Sequence, residues 1–351
     1  MFAINNNGTI DNVNITASGS LTQQKNENQE NIFTGLCVYN NGYIKNCNLD
    51  FCFNTTATGT GEAIISSIYK NNGTISNVVL AENSYIKATE VDIAGIVYIN
   101  SEKANVSSCK NYAELLQNSE IDGWSPTIGG IVNANEGTIT NCINNGKITV
   151  TSTNATKNSN QLILVGGICS VNTAEIIHCL NRGELIVNSN TSKVYCGGIS
   201  AQTTNKLVNN NVIFSQIQSC GNEAQISVTT TGENAYVFAG GISGLFEGNI
   251  SRCFSITIFL NASENLRYYQ GTCIGMCFAS TINFGAQVYI NEIYLTASDV
   301  YYLNQSNVQQ SIGAFMNAYN TIFFNEGLNL QEIKPCETKQ AIENGGVYWY
   351  E

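Results

Sequence analysis

Basic residues are scarce in this chain: 15 Lys and Arg face 26 Asp and Glu, the net charge is −11, and no Lys/Arg cluster occurs. A nucleic-acid or anionic-membrane surface needs concentrated positive charge, so both classes are set aside. Long apolar runs are missing too. No stretch approaches the roughly 18 apolar residues of a membrane span, so no membrane insertion is expected. The opening "MFAINNNGTI" lacks the basic start and apolar core of a secretory leader. Histidine occurs once, at His178, and aspartate five times, at Asp11, Asp50, Asp92, Asp122 and Asp299, all in unrelated repeat positions. Glutamate is equally dispersed. Without paired carboxylates at equivalent positions no acid–base apparatus is legible, and the chain reads as not an enzyme. No Gly-Gly-x-Gly-x-Asp phrase offers a calcium ladder, and no metal or other cofactor is implied.

What is abundant points to strands and turns. The 351 residues include 51 Asn and 31 Gly, with 43% hydrophobic residues, 2 Pro and 12% charged residues. The apolar content is too high and the charge too low for a disordered chain. Asn, Gly, Thr, Ile and Val favour turns and strands over helices.

A phrase recurs. In "GGIVNANEGTITNCINNGKITV" an apolar residue stands three places before a Cys, and the same pair returns along the chain. The Cys position is held by Val13, Cys47, Val78, Cys109, Cys142, Cys179, Cys220 and Cys253, with steps of 34, 31, 31, 33, 37, 41 and 33 residues. Three places earlier stand Ile10, Ile44, Ile75, Val106, Ile139, Ile176, Ile217 and Ile250, all β-branched. Leu36, Ile131, Ile168 and Ile242 follow a Gly at a common earlier offset, and Phe2 falls at that offset in the first copy. Ile96 and Ile199 carry the same Gly-Ile signature with insertions of about two and ten residues, the latter around "TTNKLVNNNV". A third apolar site lies at Leu115, Ile148, Leu185 and Ile226, within alternating runs such as "KITV".

No copy has the i, i+3, i+4, i+7 pattern of a helical repeat, so each is expected to hold three short strands separated by Gly/Asn turns. One such coil cannot bury its inward side chains alone, whereas stacked coils can. The expected fold is all-β: a right-handed parallel β-helix of about eight or nine three-strand coils with an atypical C-terminal cap. The repeats span 1–260, and 261–351 form degenerate coils and the cap, with "PCETKQAIENGG" as a short helix. The late aromatics, among them Tyr348, Trp349 and Tyr350, read as the core of that cap. Ile139, Cys142, Ile176, Cys179, Ile217, Cys220, Ile250 and Cys253 are expected to stack as an inward structural ladder, with Asn and Gly at the corners.

The phrase Gly-Gly-Ile-x-x-x-Asn-x-Gly-Thr-Ile-x-Asn-Cys resembles the GLUG-type repeats of bacterial surface and secreted proteins. "GGIVNANEGTITNC" and "TGLCVYNNGYIKNC" are close matches, and the resemblance covers about residues 1–260. It implies an extracellular or cell-surface, repeat-built segment of a larger protein and brings no catalytic residues. Similar Asn-rich phrases also fit a protist surface protein. The expected role is a non-catalytic stalk, spacer or adhesion scaffold. Its partners would be glycans or another protein, with end-to-end self-association into a fibre or a polysaccharide-active enzyme as alternatives. The first coil has no evident cap, so its edge is expected to stack on preceding sequence or on another subunit.

Thirteen cysteines suggest disulfides, but six of them share a position that valine also occupies, so free buried thiols are expected there. Cys37 and Cys169 share another strand position. Cys52, Cys196, Cys273, Cys277 and Cys336 are left as candidate disulfide partners. His178 beside Cys179 is expected on the outer face, because adjacent strand residues point to opposite sides. Threonines such as those of "TITN" and "ITVTST" read as not persisting from coil to coil, against an ice-binding array. Ten Asn-x-Ser/Thr sequons, at Asn7, Asn14, Asn54, Asn72, Asn105, Asn154, Asn190, Asn249, Asn261 and Asn304, are candidate glycosylation sites, although so Asn-rich a chain carries about that many by chance.

Overall fold

A computed structural model describes residues 2–255 apart from 26–29, 60, 121–124, 154–160, 191–192, 210 and 232–235; beyond 255 it describes the backbone of short strands as far as Pro335. The described residues form strands and turns and no helix. "PCETKQAIENGG" beyond its proline, and Tyr348 to Tyr350, lie outside them.

The strands stack in parallel from turn to turn. Ile10, Ile44, Ile75, Val106, Ile139, Ile176, Ile217 and Ile250 align directly, each with the next. These eight rungs span about seven turns of a β-solenoid, roughly 34 Å at the parallel-strand spacing. Backbone pairing continues from Ile250 to Ile290 and on to Leu330. All eight isoleucine and valine side chains are buried.

The first and third turns hold three strands each, as expected, and from Asp92 onward the same path divides into five shorter ones. The fifth turn shows them: Thr127–Gly129, Val132–Asn135, Thr138–Thr140, Ile143–Asn144 and Ile148–Ser152. The first two belong to one sheet and the last three to another. We call the first two the entry arm and the return arm. In the second turn the segments run together, as Asn31–Asn40 and Tyr43–Thr58.

The Gly-Gly pair divides the two arms and lets them close on each other. A Cβ on Gly129 would lie 1.7 Å from the Val132 carbonyl oxygen of its own turn, and one on Gly130 2.1 Å from the Gly167 oxygen of the next. Neither glycine has a positive φ, so close approach dictates them. The isoleucine that follows faces the core, where Ile96, Ile131, Ile168, Ile199 and Ile242 lie fully buried.

Two corners are filled by buried asparagines. Asn6 donates through Nδ2 to Asn40 Oδ1 (2.7 Å), and the column continues through Asn71, Asn100, Asn135 and Asn172 at 2.8–2.9 Å. A second column runs Asn111, Asn144, Asn181, Asn222 at 2.7–2.8 Å. Every amide donates toward the C-terminal turn, so the dipoles align and reinforce one another. The first column ends where Thr203 and then Phe246 take the position.

The ten-residue insertion forms an antiparallel hairpin, Lys206–Val208 with Asn211–Ile213. It projects Leu207 and Ile213 into solvent, while Lys206 lies 3.9 Å from both Glu102 and Glu136.

Candidate functional site

The repeated Cys or Val position stacks from turn to turn. Cys47, Val78, Cys109, Cys142, Cys179, Cys220 and Cys253 occupy one buried corner position. The Cys142, Cys179 and Cys220 amides donate to the sulfur of the next cysteine at 3.4–3.5 Å. The thiols of Cys142, Cys179, Cys220 and Cys253 face the carbonyl two residues earlier at 3.2–3.4 Å. Burial raises the Cys109, Cys142, Cys179 and Cys220 thiols well above the ordinary range, so thiolate chemistry is suppressed. All ten described cysteines are free. Cys196, a candidate disulfide partner by sequence, aligns with Val165 and Ala239 and is a core residue. Cys273 and Cys336 lie outside the described residues, and Cys277 is described as backbone only. Alkylation of the native protein followed by peptide mapping is expected to label half-exposed Cys52 and to leave Cys109, Cys142, Cys179 and Cys220 unlabelled until denaturant is added.

His178 faces away from the thiol column for a reason other than strand alternation. It sits in a left-handed corner column with Asn12, Asn46, Asn77, Ser108, Asn141, Ser219 and Arg252, whose φ values are 52–56°. The corner turns the chain so that the next residue enters the core. Asn and His tolerate this backbone region better than most residues, which explains the recurrent Asn-Cys.

Among the sequons, Asn7, Asn14, Asn54 and Asn72 are exposed, Asn105, Asn190 and Asn249 are half-buried, Asn261 is described as backbone only, and Asn154 and Asn304 lie outside the described residues. Asn72 Nδ2 donates to Asn41 Oδ1 and Asn41 Nδ2 to Asn7 Oδ1, both at 2.8 Å, in a solvent-facing ladder. A glycan on Asn72 would occupy the nitrogen that makes this bond.

Two further arrangements lie outside the apolar ladders. The first is a crevice between the arms in the third and fourth turns. Asn31 aligns with Ala63 and Ile64 with Asp92, which stacks Glu30, Glu62 and Glu90 in successive turns. Buried Asp92 accepts from the Thr127 amide (2.9 Å) at Oδ1 and from the Tyr98 hydroxyl (3.1 Å) at Oδ2. Tyr69 donates to Glu30, and its ring stacks 5.9 Å from that of Tyr98. The Glu120 amide donates to buried Glu90. Burial pushes the Asp92 carboxyl up to about 7, opposed by its hydrogen bonds and reinforced by the Glu62 charge. Burial lowers the Lys25 ammonium, while Glu90 and Asp92 hold it up. Glu62 and Asp92, unrelated in the repeat, are thus close enough for the charge of one to act on the other. Among the described residues no His/Cys/Asp/Glu group has the geometry to hold a metal.

The second is an outward column on the last strand of each turn. Register places Thr22, Thr56, Thr89, Asn118, Thr151, Asn188 and Thr229 one above another. Threonine does persist there, interrupted only by asparagine, and every member is exposed or half-exposed.

The ladders and corners define a parallel β-solenoid repeat protein. No protein-family model, curated protein or solved structure matches the chain, so the GLUG-type phrase stands as a resemblance without a family match. No helix among the described residues is long and apolar enough to cross a membrane.

Proposed function

We propose that this chain is a non-catalytic β-helical segment of an extracellular or cell-surface protein, serving as a scaffold that presents a flat polar face to neutral glycans. The observation that carries the reading is the outward column from Thr22 to Thr229, which repeats an uncharged hydroxyl or amide at each rung on a wall backed by packed ladders. The rungs repeat at about 4.8 Å, so the column offers uncharged polar groups at regular intervals along the solenoid axis. The GLUG-type phrase supports the same setting. The test incubates the chain with neutral and uronic-acid polysaccharides and follows co-sedimentation and product release together. Co-sedimentation with a neutral polymer, lost on Thr56→Lys plus Thr151→Lys and unaccompanied by product, is expected. Release of oligosaccharide would overturn the non-catalytic reading, and binding that survives both substitutions would overturn the assigned face.

A further inference from the structure

The entry arm of the fourth turn, Asp92–Ala94, and its return arm, Val97–Asn100, are joined by the two residues Gly95 and Ile96. Asp92 ties this turn together twice. Its Tyr98 bond crosses between the arms, and its Thr127 bond crosses to the next turn. The column itself is uncharged: Ile64 lies in register beneath Asp92, Thr127 above it and Leu164 above Thr127. Both hydrogen-bond donors are neutral, and among the described residues no ion pair reaches Asp92.

The groups packed around it set the sign of its response. The turn below contributes Glu62 and Tyr69, its own turn Glu90 and Tyr98, and the turn above Thr127, Asn133 and Glu120. Asn133 is spoken for, donating to Thr127 Oγ1 at 2.9 Å and to the Ile93 carbonyl at 3.1 Å. Lys25 supplies the cationic field. Burial and the like charge at Glu62 therefore outweigh the hydrogen bonds from Thr127 and Tyr98, which favour the anion, and the Lys25 ammonium is itself weakened by burial. A neutral acid fits this setting, and an anion is disfavoured in it.

We propose that Asp92 is a proton-operated latch: as a neutral acid it lets the two arms of the fourth turn stay closed over it, and on losing the proton its buried charge loosens them and the contact to the fifth turn. The direction follows from linkage. A carboxyl whose affinity for the proton is raised by folding contributes stability fully present below its unfolded value of 3.8 and lost as pH rises through about 7. The latch therefore closes in mildly acidic surroundings and slackens at and above neutrality.

Hydrogen exchange of the full chain, read by peptide mass spectrometry and corrected for the intrinsic pH dependence of exchange, tests this. Between pH 5.5 and 8, protection over residues 92–100 and 127–133 is expected to fall by about tenfold or more, while protection around Ile176 and Ile217 changes little. Asp92→Asn should abolish the pH dependence. Asp92→Leu, which copies the Leu164 side chain of the same column, provides the same readout if the Asn variant does not fold. Glu62→Gln should move the midpoint to lower pH by removing the like charge. Equal protection at both pH values in the native chain, or a fall that persists without the Asp92 carboxyl, would overturn the latch. So would a midpoint that stays put or rises in Glu62→Gln.

Discussion

Replacing Asn144 with leucine is expected to destabilise the solenoid by roughly 2–6 kcal/mol, a large share of the 5–15 kcal/mol that holds a typical domain together. Leucine has the same number and branching of side-chain heavy atoms as asparagine and is somewhat bulkier, so the loss is not a cavity effect. It arises because Asn144 is completely buried and sits mid-column. Its Nδ2 donates to Asn181 Oδ1 at 2.8 Å and to the Gly146 carbonyl at 3.0 Å, and its Oδ1 accepts from Asn111 Nδ2 at 2.8 Å. Removing the amide strands donors and acceptors of both neighbouring turns where water cannot reach them, at roughly 1–3 kcal/mol for each group left without a partner. Asn41→Ala is the control. Asn41 occupies the solvent-facing ladder between Asn7 and Asn72, with bonds of the same 2.8 Å length. Water replaces what is lost there, and the change should stay below about 1 kcal/mol. Urea unfolding of the two variants settles the comparison: similar losses would mean that burial of the amide column is not what stabilises the corner.

This contrast also marks how far the sequence could be read. The Ile and Cys ladder was legible because its two positions stand three residues apart within one corner, where no insertion falls between them. The corners were legible as Asn and Gly. Full burial of Asn135 and Asn144 was not, since a polar residue in an Asn-Gly phrase ordinarily faces water. Five strands per turn escaped detection because Ile143–Asn144 and its equivalents are two residues long and carry no period. The Thr/Asn column lay at a constant nine residues beyond the Cys position in six of the seven turns, from Val13 to Thr22 and from Cys142 to Thr151, for example. It was missed by anchoring on apolar sites alone. The Asp92 crevice was beyond reach. Glu30, Glu62 and Glu90 are spaced by 32 and then 28 residues, so their stacking depends on loop lengths that no motif marks. Burial of Asp92 further depends on one arm folding onto the other, a contact between surfaces that strand periodicity assigns to the outside.

That contact between the arms makes Gly166→Ala the second severe substitution. A Cβ on Gly166 would lie 1.7 Å from the Cys169 carbonyl oxygen and 2.4 Å from its carbonyl carbon, both backbone atoms that no rotamer change can move. To admit one methyl group the Leu162–Gly166 and Cys169–Asn172 strands must separate. Each is bonded in register to equivalent strands of the turns on either side, so the strain spreads to Gly129 and Gly197, which make the same approach. The expected loss exceeds the roughly 1–3 kcal/mol typical of overpacking, because the obstruction is main chain. Thermal unfolding against Gly19→Ala provides the measurement. Gly19 has nothing within 4 Å of its ideal Cβ and lies in an exposed strand, so alanine there should be neutral or stabilise by about 0.4–1 kcal/mol through the unfolded chain. If the two variants melt together, the arms are not in contact, and the closed crevice that buries Asp92 does not form.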